Sequence, residues 1–206
     1  GSIERPIIFG NNDTPGVVLA SAAKEYLKVY GALVGKKPII FTNNDSAYET
    51  AIEFKKNGVT PVVLDSRSNP VSEIINEAKN LDIEIKFSHV VVAANGYKKV
   101  KSAQIAKISE DKKNLININN VICDCICVSG FWTPTIHLAS QSGNKTKYNE
   151  NIDAFVPNKS KQAETTLGSA NGIFTLEETL KTSFETANEL SKKITNKENK
   201  ISIPQV

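Results

Sequence analysis

The chain has 206 residues, 40% of them hydrophobic and 23% charged, with a formal net charge of +3, the size and composition of one good globular core or of one domain plus part of another. The charge is too small for an electrostatic nucleic-acid binder: apart from Arg5 and Arg67 the cations are scattered lysines, with no aromatic residues interleaved as a strand-binding groove requires. No apolar run approaches a membrane span and the first residues are not a charged-then-apolar leader, so neither membrane nor nucleic acid is expected as a partner, and the expected location is cytoplasmic.

Residues 3–9, "IERPIIF", read as a short strand or extended segment closed by the polar turn "GNNDTPG". Pro15 suits the first turn of a helix, with Asp13 or Thr14 as its cap. That helix is expected through "GVVLASAAKEYLKVYG", where Val18, Ala22, Tyr26 and Leu27 recur at helical spacing and Gly31 supplies the stop. A strand at 38–42, a helix over 46–57 ended by Gly58, and a second strand in "TPVVLDSR" make a βαβ unit, whose parallel strands need a right-handed crossover. Another helix is expected over 71–80.

After residue 82 the pattern changes. "IEIKFSHVVVAANGYKKVKSAQIAKI" alternates in places and contains Asn95-Gly96, a hairpin signal, and "NLININNVICDCICVSG" continues as strands. The fold class is therefore α/β: a Rossmann-like parallel sheet with an antiparallel β-meander, as in the NAD domain of two-dinucleotide flavoprotein reductases. Cys123, Cys125 and Cys127 alternate in that last run, which places all three sulfurs on one strand face. The spacing fits neither zinc pairs nor mutual disulfides, and buried strand cysteine is the reading. Beyond "SGFWTPTIHLASQSGNK" the chain is looser until about residue 163. A last helix then opens on Thr175 and Glu178, a capping box.

The βα turn after residues 38–42 is the place where a dinucleotide fold carries G-x-G-x-x-G. Here those positions hold Thr42, Asn44 and Ala47. Ala47 still permits close helix–strand packing, and Asn44 tolerates unusual backbone angles, but Thr42 lacks the freedom of the first glycine. Asn43, Asn44, Asp45 and Ser46 have side chains that cap a helix themselves, and Asp45 repels a phosphate. Asp65 ends the second strand at the spacing of the acidic residue that holds an adenine ribose, while Arg67 suits a 2′-phosphate. Two readings stand: an NAD site built from Thr42, Asn43, Asn44, Asp45, Ser46, Ala47 and Asp65, or a self-capped turn, which the loss of the glycines favours. His89 and His137 belong to no catalytic spacing, and no metal cluster or paired carboxylates stand out; no catalytic or metal-binding residue is assigned.

Taken together, "ERPIIFGNNDTPGVVLASAAKEYL", "GKKPIIFTNNDSAYETA", "CDCICVSGFWTPTIHLASQSGNK" and "GSANGIFTLEETL" resemble the α subunit of heterotetrameric sarcosine oxidase, over most of residues 3–184. Related α subunits of opine, proline and hydrogen-cyanide-synthase-type amine oxidation share much of this pattern. The resemblance implies a complex that converts sarcosine, oxygen and water to glycine, formaldehyde and hydrogen peroxide, or delivers the one-carbon unit as methylenetetrahydrofolate. It implies β, γ and δ subunits as partners, with amine oxidation at FAD on β, FMN at the α–β junction, and NAD and a folate-binding domain on α. FAD and FMN are not expected on this piece. On that resemblance residues 1–134 are an NAD-type domain with its leading strand and helix, 135–192 the return segment of a broken FAD-like domain, and 193–206 a linker. The family's glycine fingerprint is expected to precede this sequence, which puts Thr42–Ala47 at a second Rossmann position that NAD at the first need not touch.

Overall fold

The computed structural model describes residues 1–195 of the chain. Two short strands come first, β1 (Ser2–Glu4) and β2 (Val17–Leu19), followed by α1 (Ala20–Tyr30), β3 (Pro38–Thr42) and α2 (Ser46–Lys56). Then come β4 (Val62–Asp65), α3 (Glu73–Asn80), β5 (Glu84–Phe87), β6 (His89–Asn95), β7 (Ser102–Ile108), β8 (Leu115–Ile122) and β9 (Cys125–Ser129). The chain groups into two units, one of Glu4–Phe131 and one of Gly1–Ile3 with the chain from Trp132 onward.

The larger unit is built on a five-stranded parallel sheet of order β2-β9-β3-β4-β5 and an antiparallel meander of order β6-β7-β8. β3 is buried at every residue, as a strand covered on both faces must be. Its side chains alternate between two cores. Ile40 joins Tyr48, Ala51, Phe54, Ile75 and Ala78 from the helices, with Val63, Cys125 and Cys127 from neighbouring strands. Ile39 and Phe41 join Val91, Ala94, Ala103 and Ile105 of the meander, with Leu64, Ile126 and Val128 of the sheet. Each large side chain so buried stabilises the fold by about 1.5–3 kcal/mol.

Three expectations need correction. Val17–Leu19 is not the start of the helix but a strand, in parallel register with Ile126, Cys127 and Val128. Helical spacing and β-branching compete there, and pairing with a distant strand decides it. Pro15 therefore precedes a strand, and neither Asp13 nor Thr14 caps α1. The cap comes from Glu4, whose Oε2 accepts from the Ser21 N–H (2.9 Å) and hydroxyl (2.5 Å). Gly31 does end α1, in left-handed conformation with φ 62°, where a Cβ is disfavoured.

The second correction concerns the cysteines. Cys125 and Cys127 face the helices, whereas Cys123 packs in the meander core. The strand breaks between Ile122 and Cys125, and Asp124 turns the chain there, its carboxylate accepting from the N–H groups of Lys36 (2.8 Å) and Lys37 (2.7 Å). Period-2 logic holds only within one uninterrupted strand. All three thiols are free and buried. The third correction is to the segment at 3–9, of which only Ile3 and Glu4 lie in a strand, Ser2–Glu4.

Asn95-Gly96 does open the hairpin between β6 and β7, but over a longer loop closed by the Lys101 N–H donating to the Asn95 carbonyl (2.8 Å). Gly96 is required: a Cβ on it would lie 1.9 Å from the Lys99 carbonyl oxygen.

The smaller unit pairs β1 with β10 (Trp132–Pro134) and continues through α4 (His137–Gln141), the hairpin of β11 (Thr146–Asn149) and β12 (Ala154–Pro157), a 3-10 turn at Gly168–Asn171, and α5 (Leu176–Thr195). Tyr148 and Phe155 meet edge-on across the hairpin at 5.3 Å. The Thr175 hydroxyl caps α5 by accepting from the Glu178 N–H at 3.3 Å. Of the expected linker, residues 193–195 continue α5 and 196–206 lie outside the described residues. Among the described residues no helix is long and apolar enough to cross a membrane.

Candidate functional site

Thr42, Asp65 and Ser129 end three adjacent parallel strands in register, Thr42 opposite Asp65 on one side and Ser129 on the other. All three are fully buried. They mark the carboxyl edge of the sheet between β9 and β3, where the strand order reverses and where open α/β sheets take their ligands.

The turn from Thr42 to Ala47 crosses this edge and fills it with its own groups. The Asn44 N–H donates to Thr42 Oγ1 (3.0 Å), and the Thr42 hydroxyl lies 3.0 Å from the Asn44 carbonyl. Asn44 Nδ2 reaches over the switch point to the carbonyl and hydroxyl oxygens of Ser129, each at 3.1 Å. Its Oδ1 accepts from the N–H (3.0 Å) and hydroxyl (2.7 Å) of Ser46. An N–H at the mouth of α2, which a phosphate would otherwise take, is thus held by Asn44. Asn43 contributes its Oδ1 to Asn44 Nδ2 (3.1 Å), and Ala47 is buried against the helix core.

Asp65 is equally committed. Its Oδ1 accepts from the Arg67 backbone N–H (2.9 Å) and Nε (3.0 Å), and its Oδ2 from Arg67 Nη2 (2.8 Å) and the Tyr48 hydroxyl (2.8 Å). Arg67 Nη2 also donates to Asp45 Oδ1 at 2.7 Å, closing a chain from β4 to the first turn of α2. Burial opposes the Arg67 charge, and the hydrogen bonds it donates to Asp65 and Asp45 outweigh that, so its pKa rises above the ordinary arginine value. Burial, followed by the Asp65 carboxylate, likewise drives Tyr48 well above an ordinary tyrosine. A guanidinium locked this way is a fixed fork rather than a mobile arm.

The structure therefore brings the predicted residues into two hydrogen-bonded sets at one sheet edge, Thr42, Asn44 and Ser46 with Ser129, and Asp65 and Asp45 with Arg67 and Tyr48. Sequence reasoning missed Tyr48 and Ser129. A buried aspartate demands donors, and a tyrosine on the helix facing it was the available signal for the first. Ser129 ends an otherwise apolar strand just before Gly130, a weaker cue. His89 Nδ1 sits 2.7 Å from the Phe87 carbonyl oxygen, and His137 opens α4 in the smaller unit. Among the described residues no group of three His, Cys, Asp or Glu is placed to hold a metal ion.

Beside the network, beyond the ends of β4 and β5, lies a cleft of about 630 Å³, walled by Ser66–Ser68 on one side and the β7–β8 turn on the other.

No family model matches the chain. Three proteins named sarcosine oxidase subunit alpha do: those of Corynebacterium sp. strains P-1 and U-96 and of Rhizobium meliloti are 34%, 33% and 32% identical to it over 84%, 75% and 82% of its length. The chain spans only 16–18% of those proteins. Among solved structures, Lactococcus lactis thioredoxin reductase superposes on 96% of the chain, and the chain on 65% of it, with a TM-score of 0.69 and 14% identity. L-proline dehydrogenase from P. horikoshii superposes on all of it with a TM-score of 0.55 and 17% identity, the chain covering 39% of that protein. These likenesses give the fold: the Rossmann-like sheet and meander of flavoprotein reductases.

Proposed function

Since this chain is homologous to one segment of sarcosine oxidase subunit alpha, we propose that it forms the Rossmann-like domain of an oxidoreductase subunit, shaping the assembly without a catalytic centre of its own. The larger reaction, oxidative demethylation of sarcosine to glycine with release of hydrogen peroxide and formaldehyde or methylenetetrahydrofolate, then runs on FAD and FMN held elsewhere in a complex with β, γ and δ subunits. A subunit of a related amine oxidase or dehydrogenase (opine, proline or hydrogen cyanide synthase type) is one alternative, and a stand-alone NAD(P)H-dependent reductase domain is the other, disfavoured by the missing fingerprint glycines.

One observation carries the structural reading: the groups that would hold a dinucleotide already hold each other. Asp65, the residue placed for an adenine ribose, is buried and its carboxylate accepts from Tyr48 and Arg67. Asn44 spans the switch point to Ser129, and Asp45 presents a carboxylate where a pyrophosphate would lie. These residues do not fit NAD as arranged. Binding it through Thr42–Ala47 and Asp65 requires the Arg67–Asp45 and Asn44–Ser129 links to open.

The test is a titration of the chain with NAD⁺, NADP⁺ and FAD separately, followed by backbone amide NMR. The expected result is no saturable shift at Thr42–Ala47 or Asp65, from a protein that is colourless and oxidises no NADH alone. Saturable NAD⁺ shifts at those residues would overturn the structural reading and make the polar turn a working cradle.

A further inference from the structure

We propose that the free edge of β8 docks an extended, acidic segment of a partner subunit, which joins the meander as a further strand. The inference rests on the reading that this domain shapes an assembly, and it names the surface through which it does so.

A sheet edge offers unpaired N–H and C=O groups to any chain that can lie beside it. The other edges of the larger unit are short, charged or covered. β2 is three residues long, and β5 carries Glu84 and Lys86 as an ion pair. β6 is closed by Gly10, whose N–H donates to the Val92 carbonyl and whose carbonyl accepts from the Ala94 N–H, both at 2.8 Å. β8 has none of these protections. It runs for eight residues, "LININNVI", with no charge and no proline, and it pairs with β7 alone. Among the described residues its outward backbone groups make no hydrogen bond.

Asn117, in left-handed conformation with φ 54°, sits where the register with β7 shifts. The run after it, Ile118–Ile122, is the part that another strand can follow. Val121 packs on the meander core, so by alternation Ile118, Asn120 and Ile122 face away from it. Ile118 and Ile122 are 55% and 75% exposed. A strand with β-branched residues at alternate positions covers both while its backbone takes up the ladder.

Charge decides between occupants. Residues 89–122 hold Lys98, Lys99, Lys101, Lys107, Lys112 and Lys113 against Glu110 and Asp111, a net +4, so with +3 overall the rest of the chain sums to −1. All six lysines are exposed, and none is in an ion pair among the described residues. Lys112 and Lys113 stand in the turn that leads into β8. Lys101 lies at its other end, where its carbonyl accepts from the Cys123 N–H (3.3 Å). Asp111 is already committed, accepting from the Ser109 hydroxyl and from the Lys113 N–H (3.1 Å). A second copy of this chain, edge to edge, would bring two such sets of lysines together, and like charges facing across a ladder oppose pairing. An acidic strand meets cations at both ends instead.

The experiment titrates the chain with a capped peptide of alternating valine and threonine with glutamate at both ends, reading backbone amide shifts and hydrogen exchange. One control peptide has lysine in place of glutamate, and another is N-methylated throughout, which removes the backbone donors. Saturable shifts and slowed exchange at residues 115–122 are expected with the acidic peptide, about fivefold or more weaker with the lysine peptide, and absent with the methylated one. The variants Ile118→Lys/Ile122→Lys and Lys112→Glu/Lys113→Glu, all at exposed positions, are each expected to weaken the acidic peptide about fivefold or more with the circular dichroism unchanged. The proposal is overturned by the absence of saturable shifts at 115–122, by equal binding of either control peptide, or by unchanged affinity in either variant. It is also overturned by dimerisation of the parent chain that Ile118→Lys/Ile122→Lys abolishes, which would make a second copy the occupant. Saturable NAD⁺ shifts at Thr42–Ala47 would instead overturn the reading on which it rests, so the two failures are told apart by residue.

Discussion

The phenol of Tyr48 and the carboxylate of Asp65 meet at 2.8 Å with both residues fully buried, tying the third residue of α2 to the end of β4. A hydrogen bond to a buried charge is among the stronger ones. Tyr48→Phe keeps the ring in its core and removes only the donor, so a loss of about 2 kcal/mol is expected in urea unfolding. A loss below experimental error would show that Arg67 alone satisfies the carboxylate.

The Arg67–Asp65 pair invites a double-variant cycle. Arg67→Gln leaves a buried carboxylate short of its cation and is expected to cost about 3 kcal/mol or more. Adding Asp65→Asn should recover much of that, because the unpaired charge goes with it. Asp45→Ala removes the more exposed partner, 43% accessible against 0% for Asp65, and should cost less than about 1 kcal/mol. Equal costs for Asp45→Ala and Arg67→Gln would contradict this division.

The thiols predict an alkaline limit. Burial, and after it Cys125 and Asp124, pushes Cys123 from 9.0 up to about 12. Cys127 is also raised, by its contact with the Cys125 thiol and by burial. Below pH 9 the thiols hold their protons in the folded and unfolded chain alike. Above it the unfolded chain releases them while the folded chain keeps them, so the unfolded state binds fewer protons and stability falls. The slope reaches about 1.4 kcal/mol per pH unit for each such thiol. Urea midpoints at about pH 8 and about pH 10 under reductant should show the fall, and Cys123→Ala should flatten it. An unchanged slope in that variant would assign the effect to other groups.

Gly35 carries no left-handed strain, yet a side chain does not fit there. A Cβ would lie 2.6 Å from Asp124 Oδ1 and 2.7 Å from Cys125 Sγ, in the turn where Asp124 holds Lys36 and Lys37. Gly35→Ala is expected to cost about 1–3 kcal/mol through displaced backbone. A thermal melt coincident with that of the parent would mean that the turn shifts freely.

Much of this fold was legible where signals were local. The alternation Ile39-Ile40-Phe41, the caps at Gly31 and Thr175, and the run of β4 and α3 follow from period and capping alone. What was not legible depended on distant partners. Val17–Leu19 becomes a strand only because Ile126–Val128 lies beside it, and Glu4 caps a helix that starts sixteen residues later in the chain. The turn chemistry of the site was half visible: Asn44 and Ser46 suggested self-capping, but the reach of Asn44 to Ser129 needs the return of a strand 85 residues away. Tyr48 was hidden for the same reason, since its donor role exists only once Asp65 is packed over it.

The placement of β9 between β2 and β3 has a temporal consequence. As the chain leaves the ribosome, β3, β4 and β5 emerge in the order in which they pair, and their helices can dock as they appear. β2 emerges before all of them and has no neighbour until Cys125–Ser129 arrives, more than a hundred residues later. Long-range parallel pairing of this kind is slow and leaves an unpaired edge waiting. The switch point that Asn44 spans is therefore the last seam of the sheet to close, and a nascent chain stopped just short of Cys125 holds a three-stranded sheet with its first strand unattached.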